Sequence, residues 1–301
     1  MGPEIRKGGC CLNRTLKILL VLIAIVLLGV MVYSSYKLID NKIQHDQDRD
    51  KNTSLNESYA VKTPESSSAP AASAGPAAGQ TSSGNESGNE NQSFFLPGFR
   101  PGSQVKLDDE VSPLNSMYDL GKFYSDYPDA IGWIYCPGTP IDSGIVEAND
   151  NSYYLHRFYD GSYSVGGSLF ADCSNARDFS DRNTVIYGHH MNDGSKFARV
   201  AYYKDQYYYD EHPIMYINTP TMNYRVELFS AFLTDADSEV YTFHFDSDEA
   251  YEAWLQRMKA ESDFKCDVQV TAADRVVTLS TCSYEYYDAR YIALGKLVPI
   301  H

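Results

Sequence analysis

Between residues 130 and 298 the chain carries nine short runs rich in Val, Ile, Tyr and Phe, at 130–135, 141–147, 168–171, 183–187, 215–218, 224–234, 267–270, 276–281 and 291–298, with Gly, Pro, Asn and Asp between them. Runs this short, bounded by turn residues, pair into sheets. Their spacing predicts a mainly β domain, a barrel or a sandwich. Helical spacing precedes the pattern once and interrupts it twice. In 117–127, Met117, Leu120, Phe123 and Tyr124 share a face before Pro128. In 194–203 the face is Phe197, Val200 and Ala201. The stretch 247–262 opens with Ser247 as N-cap and with Asp248 and Glu249 at the positive end of the helix dipole, and its buried stripe is Ala250, Trp254, Leu255 and Met258. The 25 tyrosines fit half-polar strand surfaces, and no internal repeat is visible. Residues 112–301 are enough to bury a substantial core.

The first third of the chain is different material. Arg6, Lys7, Arg14 and Lys17 precede an apolar run from Ile18 to Val32, capped by Tyr33. At 1.5 Å per residue the run spans about 24 Å, and about 30 Å if counted from Lys17 to Lys37 with both ammonium groups reaching outward. A cleaved signal peptide shares this basic start and apolar middle, but no small-x-small cleavage site follows. The expectation is therefore a cytoplasmic tail (1–17), a transmembrane helix (18–36) and everything later outside, because basic residues stay on the cytoplasmic side. From 37 to 111 Ser, Gly, Asn, Ala, Pro and Glu dominate, which predicts a disordered extracellular stalk. An apolar island, Phe94-Phe95-Leu96-Pro97-Gly98-Phe99, is either linker or a segment that docks on the folded part.

A formal charge of −15 argues against nucleic-acid binding, which needs clustered Lys and Arg. The six cysteines include no Cys-x-x-Cys pair. Cys10 and Cys11 precede the apolar run, so neither is the lipid-modified cysteine that follows a lipoprotein signal. Cys136, Cys173 and Cys266 are isolated and read as structural, with a disulfide among them left open. No cofactor or metal is expected.

That leaves Cys282, which ends the apolar run Val276-Val277-Thr278-Leu279-Ser280-Thr281 and is followed eight positions later by Arg290. A second run, Asn183-Thr184-Val185-Ile186-Tyr187, ends in Gly188-His189-His190. Taken singly, a strand cysteine is usually a buried structural residue, a histidine after a strand a surface or core residue, and an arginine an ion-pair partner. Together they supply a nucleophile, an acid/base and a cation for developing negative charge.

The segments Thr184-Val185-Ile186-Tyr187-Gly188-His189 and Thr278-Leu279-Ser280-Thr281-Cys282, with Arg290, resemble the active-site motifs of sortases, the cysteine transpeptidases of Gram-positive cell surfaces. The closer resemblance is to class B. Ile131-Gly132-Trp133-Ile134, Gly138-Thr139-Pro140-Ile141-Asp142, Asp150-Asn151-Ser152-Tyr153-Tyr154-Leu155, Gly167-Ser168-Leu169-Phe170-Ala171-Asp172, Met191-Asn192-Asp193-Gly194-Ser195-Lys196-Phe197 and Gly295-Lys296-Leu297 add to it, as does the helix before the cysteine strand. The resemblance spans about 119–299 and implies a closed β-barrel of about eight strands with added helices, one of them N-terminal. It implies catalysis by His189, Cys282 and Arg290, with Thr281 lining the substrate groove. His189 is preferred to His190 because it follows the Tyr-Gly pair directly, and Arg290 to Arg275 because Arg275 precedes the cysteine strand. The short gap from Cys282 to Arg290 predicts a compact turn through Glu285-Tyr286-Tyr287-Asp288.

The implied partners are secreted proteins with a C-terminal sorting motif of the Leu/Asn/Ser-Pro-x-Thr type, a peptidoglycan amine as acceptor, and the cytoplasmic membrane. The rival readings are a pilin-polymerising sortase with a lysine amine as acceptor, a wall-remodelling cysteine peptidase and a stalked binding protein. Pilin sortases often carry a lid and a second, C-terminal membrane helix, neither of which is evident here. The wall peptidases usually place cysteine before histidine. The binding protein requires an unreactive Cys282.

Overall fold

In the computed structural model, which describes residues 14–61, 110–282 and 288–301, the apolar run belongs to one continuous helix, α1 (Arg14–Tyr59). The chain before residue 14, most of the expected stalk with its island 94–99, and Glu285, Tyr286 and Tyr287 lie outside the described residues. Two compact units meet between residues 51 and 52. In the first unit the large apolar side chains from Ile18 to Val32 are exposed all around a helix long and apolar enough to cross a membrane. A helix apolar on every face needs apolar surroundings.

Against expectation, residues 37–59 are helical. No Gly or Pro occurs between Gly29 and Pro64, and Arg49 pairs with Asp46 one turn away at 3.0 Å. In the second unit the last turns of α1 are tied down. Asn56 Nδ2 donates to the Asp142 carbonyl at 2.8 Å, and Tyr59 is buried with its hydroxyl donating to Asp126 at 2.9 Å.

The β strands are β1 (Ala130–Tyr135), β2 (Asp142–Val146), β3 (Leu169–Ala171), β4 (Asn183–Tyr187), β5 (Ile214–Asn218), β6 (Asn223–Asp235), β7 (Val276–Cys282) and β8 (Ala289–Ile300). They close into a barrel in the order β1-β2-β3-β4-β7-β8-β6-β5. The β2/β3 and β4/β7 pairs are parallel and the others antiparallel. Of the two sequence alternatives it is the barrel. β7 reads as one apolar run because both its faces are covered. Val277 and Leu279 face the barrel interior, while Val276 packs outside with Ile292, Leu294 and the helix that precedes the strand.

The remaining helices are α2 (Leu114–Met117), α3 (Leu120–Asp126), α4 (Gln206–Glu211) and α5 (Asp248–Ala260). α5 is capped as expected, the Ser247 hydroxyl accepting from Ala250 N at 3.1 Å, but Tyr251 and not Ala250 joins Trp254, Leu255 and Met258 in its buried stripe. The helix expected over 117–127 is broken. Tyr118 is extended to bridge Ala60, and Asp119 donates its N–H to the Tyr59 carbonyl before its side chain caps α3 on Lys122 N. The stretch 194–203 contributes a 3-10 helix, Ala198–Lys204.

The expected strand 267–270 is not in the barrel. Val268 and Val270 do pack beside α5, which is what their alternation reported. The carbonyls of Val268, Gln269 and Val270, however, accept from the side chains of Lys259, Lys296 and Gln256, which take the place of a strand ladder.

Phe123 of α3 is the hub of the cluster that joins the N-terminal segments to the barrel. It is fully buried, with ring centroids 5.0 Å from Trp133, 5.3 Å from Tyr59 and 5.5 Å from Tyr159. Gly144 makes room for it, since a Cβ there would lie 2.3 Å from the ring. Phe123→Ala is expected to cost about 3–5 kcal/mol, read as a fall of roughly 10 °C in the thermal midpoint. A shift of only a degree or two would mean these rings do not carry the N-terminal packing.

Candidate active site

The parallel register of β4 and β7 does the first part of the assembly. Asn183 lies opposite Val276 and Tyr187 opposite Ser280, and the Gly188 N–H continues the ladder to the Ser280 carbonyl at 3.0 Å. Parallel strands end at the same edge, so Gly188-His189-His190 leaves the barrel beside Thr281-Cys282. β8 then returns antiparallel, which sets Arg290 directly opposite Cys282. Residues as far apart in sequence as 189 and 290 thus share one rim. Arg275 heads β7, about 23 Å away at 3.3 Å per residue, and donates to the Phe179 carbonyl at 3.1 Å.

Each group has a defined setting. Cys282 is half-buried at the strand end, and its carbonyl accepts from His190 Nδ1 at 3.0 Å. His189 is half-buried with Nε2 donating to the Leu155 carbonyl at 2.8 Å. Its ring lies near-parallel to that of His156, with centroids 5.5 Å apart and planes 22° from parallel. Burial holds the His189 pKa below the ordinary histidine value. The bond to Leu155 opposes that shift, and the charges of His156 and Lys196 add to it. Arg290 is ion-paired to Asp288 at 2.9 Å and donates to its neighbour's carbonyl, that of Ala289, at 3.1 Å. Asp288 closes the short connection in the left-handed region at φ 63°. Thr281, expected to line the groove, is only 2% exposed, and its buried hydroxyl has no hydrogen-bond partner among the described residues.

Sequence reasoning gave no individual role to three neighbours. Tyr241 exchanges a hydrogen bond with Ser280 at 2.9 Å and stacks on Tyr187, which places it at the rim. Burial raises its pKa, against the smaller opposing effects of the Ser280 bond and the Arg290 charge. Lys196 bridges His190 through the backbone, and its buried ammonium lies over the Phe158 ring. His156 and the carbonyl of Leu155 hold His189 from a 3-10 turn, Tyr153–His156. Nothing in the sequence marked Tyr241, whereas Lys196 and Tyr153 to Leu155 lie in segments already singled out by resemblance, which gave them no role. Among the described residues no group of three or more His, Cys, Asp or Glu is placed to hold a metal ion.

No protein-family profile matches the chain. Sortase B of Listeria monocytogenes is 38% identical over 186 residues, covering 61% of this chain and 74% of that protein. Sortase B of Staphylococcus aureus is 30% identical over 174 residues, covering 57% and 71%. Among solved structures, the S. aureus sortase B–substrate complex aligns with a TM-score of 0.57 at 28% identity, over 60% of this chain and 85% of that one. B. anthracis sortase B in complex with AAEK1 aligns with 0.56 at 35% identity, over 61% and 85%. The closed eight-stranded barrel with a cysteine at the end of β7 is therefore that of a sortase, a cysteine transpeptidase. The chain belongs to the sortase B family.

Proposed function

We propose that this enzyme is anchored in the cytoplasmic membrane by α1, with its barrel outside, and joins secreted proteins to peptidoglycan. On this reading it cleaves a C-terminal signal of the Leu/Asn/Ser-Pro-x-Thr type after the threonine. The observation that carries the assignment of roles is the β4/β7/β8 register, which brings His189, Cys282 and Arg290 to one rim. The apolar α1 supports the anchor, and the basic residues before it support an N-terminus on the cytoplasmic side.

Neutral His189 takes the proton from the Cys282 thiol as Sγ attacks the threonine carbonyl carbon. The tetrahedral oxyanion accepts hydrogen bonds from the Arg290 guanidinium, which Asp288 holds in place. As the C–N bond breaks, the His189 imidazolium protonates the departing amine, leaving a thioacyl-enzyme. The acceptor amine then attacks the thioester carbonyl and gives its proton to His189, and the thiol is restored when Sγ leaves. Water at that step would give hydrolysis.

The test uses the full-length protein in detergent with fluorogenic peptides of this motif and an added amine. Scission after threonine with capture of the amine is expected, and no scission across the peptide set would overturn the substrate assignment. Arg290→Ala is expected to lower kcat/KM by about 10²–10³-fold, mostly in kcat, since an oxyanion donor acts on the transition state. An effect confined to KM would make Arg290 a peptide-binding residue.

A further inference from the structure

We propose that the turn Tyr153–His156 is the orienting element of the acid/base histidine, with His156 as a positioning residue that keeps the His189 imidazole seated so that Nδ1 is the nitrogen exchanging protons. This rests on the acid/base role proposed above for His189. A nucleophile's base needs a third group to fix its direction, and this is commonly a carboxylate. Among the described residues no carboxylate bonds His189, and the Leu155 carbonyl occupies that position at 2.8 Å. A carbonyl oxygen only accepts, so Nε2 carries hydrogen whether the ring is neutral or charged. The neutral ring is then the Nε2–H tautomer, and Nδ1 is left to take and release the proton.

One hydrogen bond leaves the imidazole free to tilt about its axis. The His156 ring removes that freedom, lying near-parallel to it with centroids 5.5 Å apart, while Tyr163 stacks near His156 with centroids 6.5 Å apart and planes 30° from parallel.

The turn itself is over-determined. Asp150 Oδ1 accepts from the N–H groups of Ser152 and Tyr153, both at 2.8 Å, and from the Ser152 hydroxyl at 2.6 Å. Ser168 N donates to the Tyr154 carbonyl and Ser164 N to that of His156, both at 3.1 Å. The Tyr154 hydroxyl donates to Asp129 at 2.8 Å. Gly167, at φ +55°, crosses so closely that a Cβ there would lie 2.4 Å from the Leu155 carbonyl oxygen. The turn that carries the Leu155 carbonyl is thus held on both sides of that residue. His156 is itself exposed, so its ring contributes little to the core and a role in folding does not explain the stack.

The charged and titratable groups acting on His189 are His156, from the turn, and Lys196, from the histidine's own loop. Both lower its pKa, beneath the larger effect of burial. Removing His156 therefore moves the acid limb of the rate profile to higher pH.

The experiment compares wild-type full-length protein in detergent with His156→Ala, His156→Phe and His189→Ala. Imidazole ¹⁵N shifts and kcat, KM and pH profiles with the motif peptide are measured for each. Wild-type His189, assigned by its loss in His189→Ala, is expected as the Nε2–H tautomer. His156→Ala is expected to lower kcat about tenfold, leave KM and the thermal midpoint unchanged, and give mixed tautomers. His156→Phe restores the stack and kcat but keeps the displaced acid limb. The inference is overturned by an Nδ1–H tautomer in the wild type, or by wild-type kcat, pH profile and tautomer in His156→Ala. If His189→Ala itself retains turnover, the acid/base assignment has failed. If only the His156 variants behave as wild type, that assignment stands and this inference alone falls.

Discussion

Cys282→Ala is expected to abolish both scission and ligation of the sorting peptide, with kcat/KM falling by at least about 10⁴-fold, on the scale of removing the nucleophile from other covalent enzymes. No other described cysteine can substitute. Cys136 is buried in the core, where its thiol lies 3.7 Å from the Tyr203 hydroxyl and burial pushes its pKa up to about 11. Cys173 and Cys266 are half-buried on other parts of the fold, before β4 and before β7, and are not at the rim. The loss is kinetic and not structural, because Cys282 ends its strand and packs little, so the thermal midpoint is expected to hold. Mass spectrometry of the wild type trapped with peptide should show one thioacyl adduct, on the tryptic fragment carrying Cys282. Retained cleavage in Cys282→Ala, or an adduct on Cys173 or Cys266, would remove Cys282 from the mechanism.

The second large effect separates the two adjacent histidines. His189→Ala removes the proposed acid/base and is expected to cost about 10²–10⁴-fold in kcat/KM. His190→Ala removes a donor to the Cys282 carbonyl, a net hydrogen bond of about 1 kcal/mol, and is expected to stay within roughly tenfold of wild type. The reverse order would exchange their roles. The pH dependence follows from the same site. Burial, more than the charges of His156 and Lys196, holds His189 below its unfolded value of 6.5, so the ring is neutral at pH 7 and ready to accept the thiol proton. With His189 as the base, turnover is expected to hold through neutral pH and to fall as acid protonates the ring below 6.5, which a pH–rate profile checks. Stability follows the same sign. Below 6.5 the unfolded chain binds this proton more readily than the folded one, so the contribution of His189 to stability is lost as pH falls.

The elements with local causes were legible from the residues. The Ser247 cap and the acids after it announced α5, and Pro128 and Gly188 ended their segments where the pattern placed them. Errors arose where a local pattern had two tertiary outcomes. The alternation of Val268 and Val270 truthfully reported a buried face, but alternation does not say whether the backbone pairs. Here three side chains took the carbonyls instead. Polar composition after residue 37 suggested coil, yet an uninterrupted helix-compatible stretch ends with Asn56 and Tyr59 docked on the folded unit.

For the site, the residue types were determined by sequence alone: a cysteine, a histidine and an arginine at the edges of apolar runs, in motifs that resemble sortases. Their meeting on one rim was decided by the parallel pairing of β4 with β7 and the antiparallel return of β8, a register set by closure of the whole barrel. What directs His189 was also tertiary. The group that holds it is the carbonyl of Leu155, which any amino acid at that position would supply. A backbone atom leaves no mark on a sequence, and only the fold brings it to the ring.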